Sequence, residues 1–181
     1  MGWSAGKFCM NCFLWSALMF CGVSRAETGV SRDWIWNTDA KDFYFAITTN
    51  SAKQILGQYC YIGEGTCFYI VSLDVACEPG STYPAIVNSD KGADHIVLRC
   101  VHEYQGHNIL GIYEFDKVDE LVREASHIGI AVPMENDQFE VIKFSLIGSS
   151  DAIDHMRNAA KSVIETHAPP ETEKLPAKEV M

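Results

Sequence analysis

This 181-residue chain is short of positive charge, with 14 Lys and Arg against 24 Asp and Glu. A surface that acidic repels nucleic acid and anionic lipid alike, which excludes non-specific binding to either. Long apolar runs are also missing. Beyond residue 26 nothing approaches the ~20 residues that a membrane-spanning helix needs, so stable membrane insertion is not expected. There is no Asn-x-Ser/Thr sequon, because Asn37-Thr38, Asn50-Ser51 and Asn88-Ser89 all lack the required order. That fits a bacterial periplasm better than a eukaryotic secretory route. A G-x-S-x-G elbow, the mark of one large hydrolase class, is absent too. No internal repeat is visible.

What is present begins with the N-terminus. Residues 1–26 carry an early positive charge at Lys7, an apolar run through Phe13, Leu14, Trp15, Leu18 and Phe20, and the ending Ser24-Arg25-Ala26. Small residues at the last and third-last positions form an A-x-A-like site, so the segment reads as a secretory signal peptide cut before Glu27. Cys21 invites acylation, but the bulky Phe20 before it does not suit that cleavage. Removing the segment takes two of the 14 basic residues and none of the 24 acidic ones, which leaves 155 residues with a net charge of −12. The expected location is periplasmic or secreted. The charge serves solubility, and a basic protein partner would feel it as attraction.

Cys9, Cys12 and Cys21 leave with the signal, including the redox-like Cys9-Met-Asn-Cys12. Cys60, Cys67, Cys77 and Cys100 remain, and an even number in an exported domain argues for disulfides over metal ligation. Four cysteines allow three pairings. A hairpin centred on Gly63-Glu64 sets Cys60 directly opposite Cys67, as a hydrogen-bonded pair. Cys77 precedes the next hairpin and Cys100 lies on its return strand. The favoured pairing is therefore Cys60–Cys67 with Cys77–Cys100.

From Trp34 to Leu146 the pattern has mostly period two. Phe43, Phe45 and Ile47 alternate with Tyr44, Ala46 and Thr48 as a half-buried strand. Gln54–Tyr61 and Thr66–Leu73 flank Gly63-Glu64, which suits a two-residue type II′ turn. Tyr83–Asn88 and His95–Val101 form a second hairpin, and Ile109–Phe115 is a further strand. Asp116 can cap a short helix carrying Val118, Leu121, Val122 and Ala125. Ile128–Pro133 and Phe139–Leu146 return to strand around Glu135-Asn136-Asp137. A capping serine at Gly148-Ser149-Ser150 opens a last helix, whose apolar face is Ile153, Met156, Ala160, Val163 and Ile164. Residues 168–181 hold little to bury and read as a disordered tail.

Several constellations tempt. His102-Glu103-Tyr104-Gln105-Gly106-His107 resembles the zinc motif H-E-x-x-H but is one residue too long, so on a helix its histidines would diverge by ~140°. They read as polar residues at a hairpin rim. Gly63-Glu64-Gly65 lacks the helix and lysine of a phosphate loop. Asp151, Asp154 and His155 share one helical turn, which a solvated face explains. Trp34 and Trp36 share one face of an extended segment with Tyr44 near in sequence, and stacked aromatics can form a sugar or peptide platform. Packing of those tryptophans into the core is the competing reading.

These observations predict an α+β fold: a mainly antiparallel, sandwich-like β domain over 27–167, with a short helix and a C-terminal helix packed on the sheet. The function expected is non-enzymatic, by protein–protein contact in the envelope or outside the cell, of an inhibitor or immunity type. An exported hydrolase with a dispersed site and a carbohydrate-binding module are the alternatives. No catalytic residue, metal or cofactor is assigned. Trp34, Trp36 and Tyr44 are the candidate binding surface.

Overall fold

A computed structural model describes residues 27–74, 76–104, 106–133 and 138–167. The signal segment 1–26, the 168–181 tail and the Glu135-Asn136-Asp137 connection lie outside the described residues. The elements run β1 (Thr28–Ser31), β2 (Trp34–Asn37), β3 (Phe43–Thr49), β4 (Ile55–Tyr61), β5 (Thr66–Leu73), β6 (Thr82–Ser89), β7 (Gly92–Tyr104), β8 (His107–Ile112), α1 (Phe115–Glu124), β9 (His127–Pro133), β10 (Phe139–Ser145) and α2 (Ser149–His167). All strand pairs are antiparallel, in the order β1-β2-β3-β4-β5-β8-β7-β6-β9-β10.

The mainly antiparallel β architecture with two helices matches the reading of the sequence, but the strands form one open sheet and not two stacked ones. The helices supply the second layer. Val118 and Val122 of α1, with Ala152, Ile153, Met156 and Ala160 of α2, close a core against Trp34, Leu56, Tyr69, Val71 and Leu110 of the sheet. The sheet curls until its distant strands meet. Asp33 N–H donates to the Ile147 carbonyl at 3.2 Å, and Trp34 Nε1 donates to the Ser145 carbonyl at 3.0 Å. Gly148 completes this seam. Its φ of +93° suits glycine, and a Cβ there would stand 2.0 Å from the Ser31 carbonyl oxygen.

Four local expectations change. The β4–β5 connection is a four-residue loop, Ile62–Gly65, with the positive φ at Gly65 and not at Gly63. Its centre still falls between Gly63 and Glu64, so Cys60 faces Cys67. Their Cα atoms are 4.0 Å apart, the short spacing of a non-hydrogen-bonded pair, which corrects the expected pair type. Asp116 does not cap α1: the helix starts one residue earlier, at Phe115, and Glu114 holds the cap position without a side-chain cap bond. Ser149 does not cap α2 either, because its hydroxyl donates to the Val122 carbonyl and ties α2 to α1.

Disulfides join Cys60 to Cys67 and Cys77 to Cys100. The second closes a separation of 23 residues and fixes the loop before β6 to the return strand β7. No helix among the described residues is long and apolar enough to cross a membrane.

Candidate functional site

None of β2, β3, β4, β5 or β8 contains an Asp, Glu, Lys or Arg, although the chain carries 24 acidic residues. Alternate residues of these strands point to opposite faces. Trp34, Ala46, Leu56, Tyr69 and Leu110 enter the core, which sends Ile35, Phe43, Phe45, Tyr59, Tyr61 and Phe68 outward. Cross-strand register lines the outward rings up. Phe45 faces Tyr59, Tyr59 faces Phe68, and Phe43 faces Tyr61. Ring centroids lie 5.6 Å apart for Phe45–Tyr59, 5.4 Å for Tyr61–Phe68 and 6.5 Å for Tyr59–Phe68, with interplanar angles of 28°, 16° and 20°. Rings stacked this way cover one another's faces and present their edges to solvent. Ile47, Ile70 and Ile109 continue the face and are themselves shielded, at 7–8% exposure. Tyr61 and Ile35 are exposed at 38% and 41%.

The candidate binding residues Trp34, Trp36 and Tyr44 are not on that face, and the tryptophans pack into the core as the other reading of the sequence has it. Trp34 is fully buried, Trp36 is 8% exposed, and Tyr44 packs against the core. The two tryptophans do share a face, but it is the inward one, where α2 covers them. Trp36 stacks on His155 of α2 with centroids 5.0 Å apart and 12° between planes. It reaches only the floor of a cleft of about 360 Å³ between β1 and α2, beside Asp151 and Asp154. The outward rings carry a signal that is present in the sequence, since Phe43/Phe45 and Tyr59/Tyr61 alternate within uncharged strands.

Beneath the sheet a polar clamp joins three elements. Arg157 of α2 donates from Nε to Gln58 Oε1 on β4 at 2.7 Å and from Nη1 to Asp119 Oδ2 on α1 at 3.2 Å, and its Nη2 also binds Asp119. Tyr69 on β5 donates its hydroxyl to Asp119 at 2.6 Å. Burial first, and then that bond, push the Tyr69 phenol well above the ordinary tyrosine value. The guanidinium also sits 5.5 Å from the centre of the Phe115 ring. All three guanidinium nitrogens are engaged by the protein, so the clamp works in the fold. Gln58 Nε2 is buried without a partner.

The histidines disperse. His102 and His107 sit on the β7–β8 hairpin, where His107 Nδ1 meets Asp74 at 2.6 Å. Asp154 is held by Arg123, and their hydrogen bond raises the Arg123 pKa. Ser126, His127 and Asp90 meet beside a second cleft of about 340 Å³. There Ser126 donates both N–H and Oγ–H to Asp90, and the N–H bond holds the Asp90 carboxyl below its ordinary value. A nucleophile would need the serine hydroxyl to donate to the imidazole and the carboxylate to back the other ring nitrogen. Here the serine hydroxyl donates its hydrogen bond to the carboxylate instead. Among the described residues no group of three or more His, Cys, Asp or Glu could hold a metal ion.

No protein-family model matches the chain, and no curated protein sequence does. Among solved structures it resembles the crystal structure of invasion associated protein B from Bartonella henselae, with a TM-score of 0.56 over 75% of this chain and 99% of that one. The two share 14% sequence identity, so the likeness is one of fold.

Proposed function

We propose that this chain is an exported, non-enzymatic protein of the envelope or the extracellular space that acts by protein–protein contact, through the outward face of β2–β5 and β8. One observation carries the reading: five adjacent strands without an Asp, Glu, Lys or Arg, bearing stacked rings, in an acidic chain. The other rings of this face are half-buried while Ile35 and Tyr61 are exposed, and apolar surface left open in this way marks interaction sites in monomeric proteins. Two disulfides support an oxidising compartment. A sugar stacks on the open face of a ring, and these faces are taken by neighbouring rings, which disfavours the carbohydrate-binding alternative. The acidic remainder of the surface steers a basic partner toward the contact, as an inhibitor or immunity-type protein would require.

The test is affinity capture from the envelope with the oxidised wild-type chain and with Tyr61→Lys, which charges the rim of the face at an exposed position. The proposal expects a protein retained by the wild type and lost from the variant. Equal recovery on both would move the contact elsewhere.

A further inference from the structure

We infer that the cleft between β1 and α2 is a binding site for one neutral sugar ring, free or at the end of a glycan. It lies on the α2 side of the sheet, so it stands or falls separately from the protein contact proposed for the outward face. Its floor is Trp36. That side chain is 8% exposed, yet its Nε1–H has no acceptor among the described residues, whereas Trp34 Nε1 is bonded to the Ser145 carbonyl. Buried donors are almost always paired, so one left open at a cleft calls for an acceptor from outside the chain. Gly29 lines the cleft against that edge of the indole. A Cβ at Gly29 would stand 2.3 Å from Cζ2 and 2.9 Å from Nε1, so a larger residue would displace the N–H.

The walls complete the set of donors and acceptors. Asp151, Asp154, His155 and Asn158 follow the spacing of one face of α2, and all four line the cleft. Arg123 binds both carboxylate oxygens of Asp154 and cancels its charge. Asp151 has only the Ser31 hydroxyl, at a weak 3.5 Å, and the Asn158 amide has no partner among the described residues. His155 stacks on one face of the Trp36 ring, so the indole offers the cleft its N–H. The uncompensated Asp151 repels an anion. A simple cation would satisfy Asp151 but leave the indole N–H without an acceptor. A hydroxyl both accepts and donates, so neighbouring hydroxyls of one ring can take the Trp36 proton and give their own to Asp151 and to the Asn158 carbonyl. The volume of about 360 Å³ is at the small end of ligand sites, which suits a single ring.

Nitrogen–proton correlation spectra of the oxidised chain, titrated with glucose, galactose and mannose and with their methyl glycosides, test this. The expected result is a saturable shift of the Trp36 indole N–H in the millimolar range with at least one of these sugars, while the Trp34 indole N–H, held by Ser145, stays in place. Methyl glycosides that bind as well as the free sugar identify the end of a glycan as the ligand; binding of the free sugar alone identifies a free-sugar site. Asp151→Ala, at an exposed position in the first turn of α2, should weaken binding about tenfold with the circular dichroism of the fold retained. Asp39→Ala removes an exposed acid outside the cleft and should leave binding unchanged. A Trp36 resonance that no sugar moves at about 100 mM overturns the inference, as does a shift that Asp151→Ala leaves as it was. A response to arginine or acetamide without one to sugars would make this a cation or amide site and overturn it as well. Each of these failures leaves the capture test with Tyr61→Lys untouched, because the two sites lie on opposite sides of the sheet.

Discussion

Arg157→Met is the perturbation that most directly tests how the helices are held to the sheet. Methionine keeps the aliphatic stem beside Phe115 but removes the bonds to Gln58 and Asp119. Asp119 then keeps only the Tyr69 hydroxyl among its bonds described above, and Gln58, fully buried and already without a partner at Nε2, loses its bond at Oε1 as well. Breaking one side of a fully buried ion pair costs ~3–5 kcal/mol. Arg157 and Asp119 side chains retain 29% and 21% exposure, so solvent recovers part of that and the lower end applies. The orphaned Gln58 carbonyl adds about 1 kcal/mol. The expected loss is about 3–4 kcal/mol.

Urea unfolding of the oxidised chain reads this as a fall in midpoint of about 2 M at an unchanged slope. Asp119→Asn and the double variant complete a cycle whose coupling should be about 2 kcal/mol, because the residues share bonds and their losses cannot add. A loss under about 1 kcal/mol for Arg157→Met, with no coupling, would refute the reasoning. The pair would then behave as a solvated surface contact and the helices would be held by apolar packing alone.

Two further outcomes follow from the covalent and acidic features. Removing Cys77–Cys100 by paired alanines should cost about 3.5 kcal/mol against about 2.5 for Cys60–Cys67, because the longer loop leaves more chain entropy to the unfolded state; equal midpoints for the two variants in urea would contradict this. Ser126 N–H holds the Asp90 carboxyl below its ordinary value of 3.8, so the stability it contributes is complete above that value and disappears as pH falls through the lower folded one. Asp90→Asn should therefore flatten the acid limb of a midpoint-against-pH profile, and an unchanged limb would show that this carboxylate contributes nothing.

The positions of most strands along the chain were legible because the turn residues are strong. The Cys60–Cys67 register survives the mistaken turn type, since both turns share a centre at Gly63-Glu64. Residues Ile153, Met156 and Ala160 were readable as the buried face of α2 from spacing alone. The single sheet was not, because a period of two says which residues share a face and nothing about whether the far layer is a sheet or a helix. The clamp was invisible for a similar reason. Gln58, Asp119 and Arg157 are separated by 38 residues or more, and only the packing of α1 and α2 brings them together.

The inversion of the two faces of β3 has its own physical cause. Phe43, Phe45 and Ile47 are the more hydrophobic set, and hydrophobicity alone would send them inward. The inward set is Tyr44, Ala46 and Thr48, opposite Cys60, Gln58 and Leu56 of β4. Trp34 and Trp36 of the neighbouring strand already fill much of the space beneath α2, so the strands beside them must present small residues there, and Ala46, Thr48 and Cys60 give the helix that room. Volume therefore chose the face. It explains why the large rings left the core, but not why they remained rings once outside, since outward positions elsewhere in the same sheet carry Asn88, His95 and Arg99. The absence of any Asp, Glu, Lys or Arg across five adjacent strands is thus a property beyond what packing requires, and it is the one on which the proposed protein contact rests.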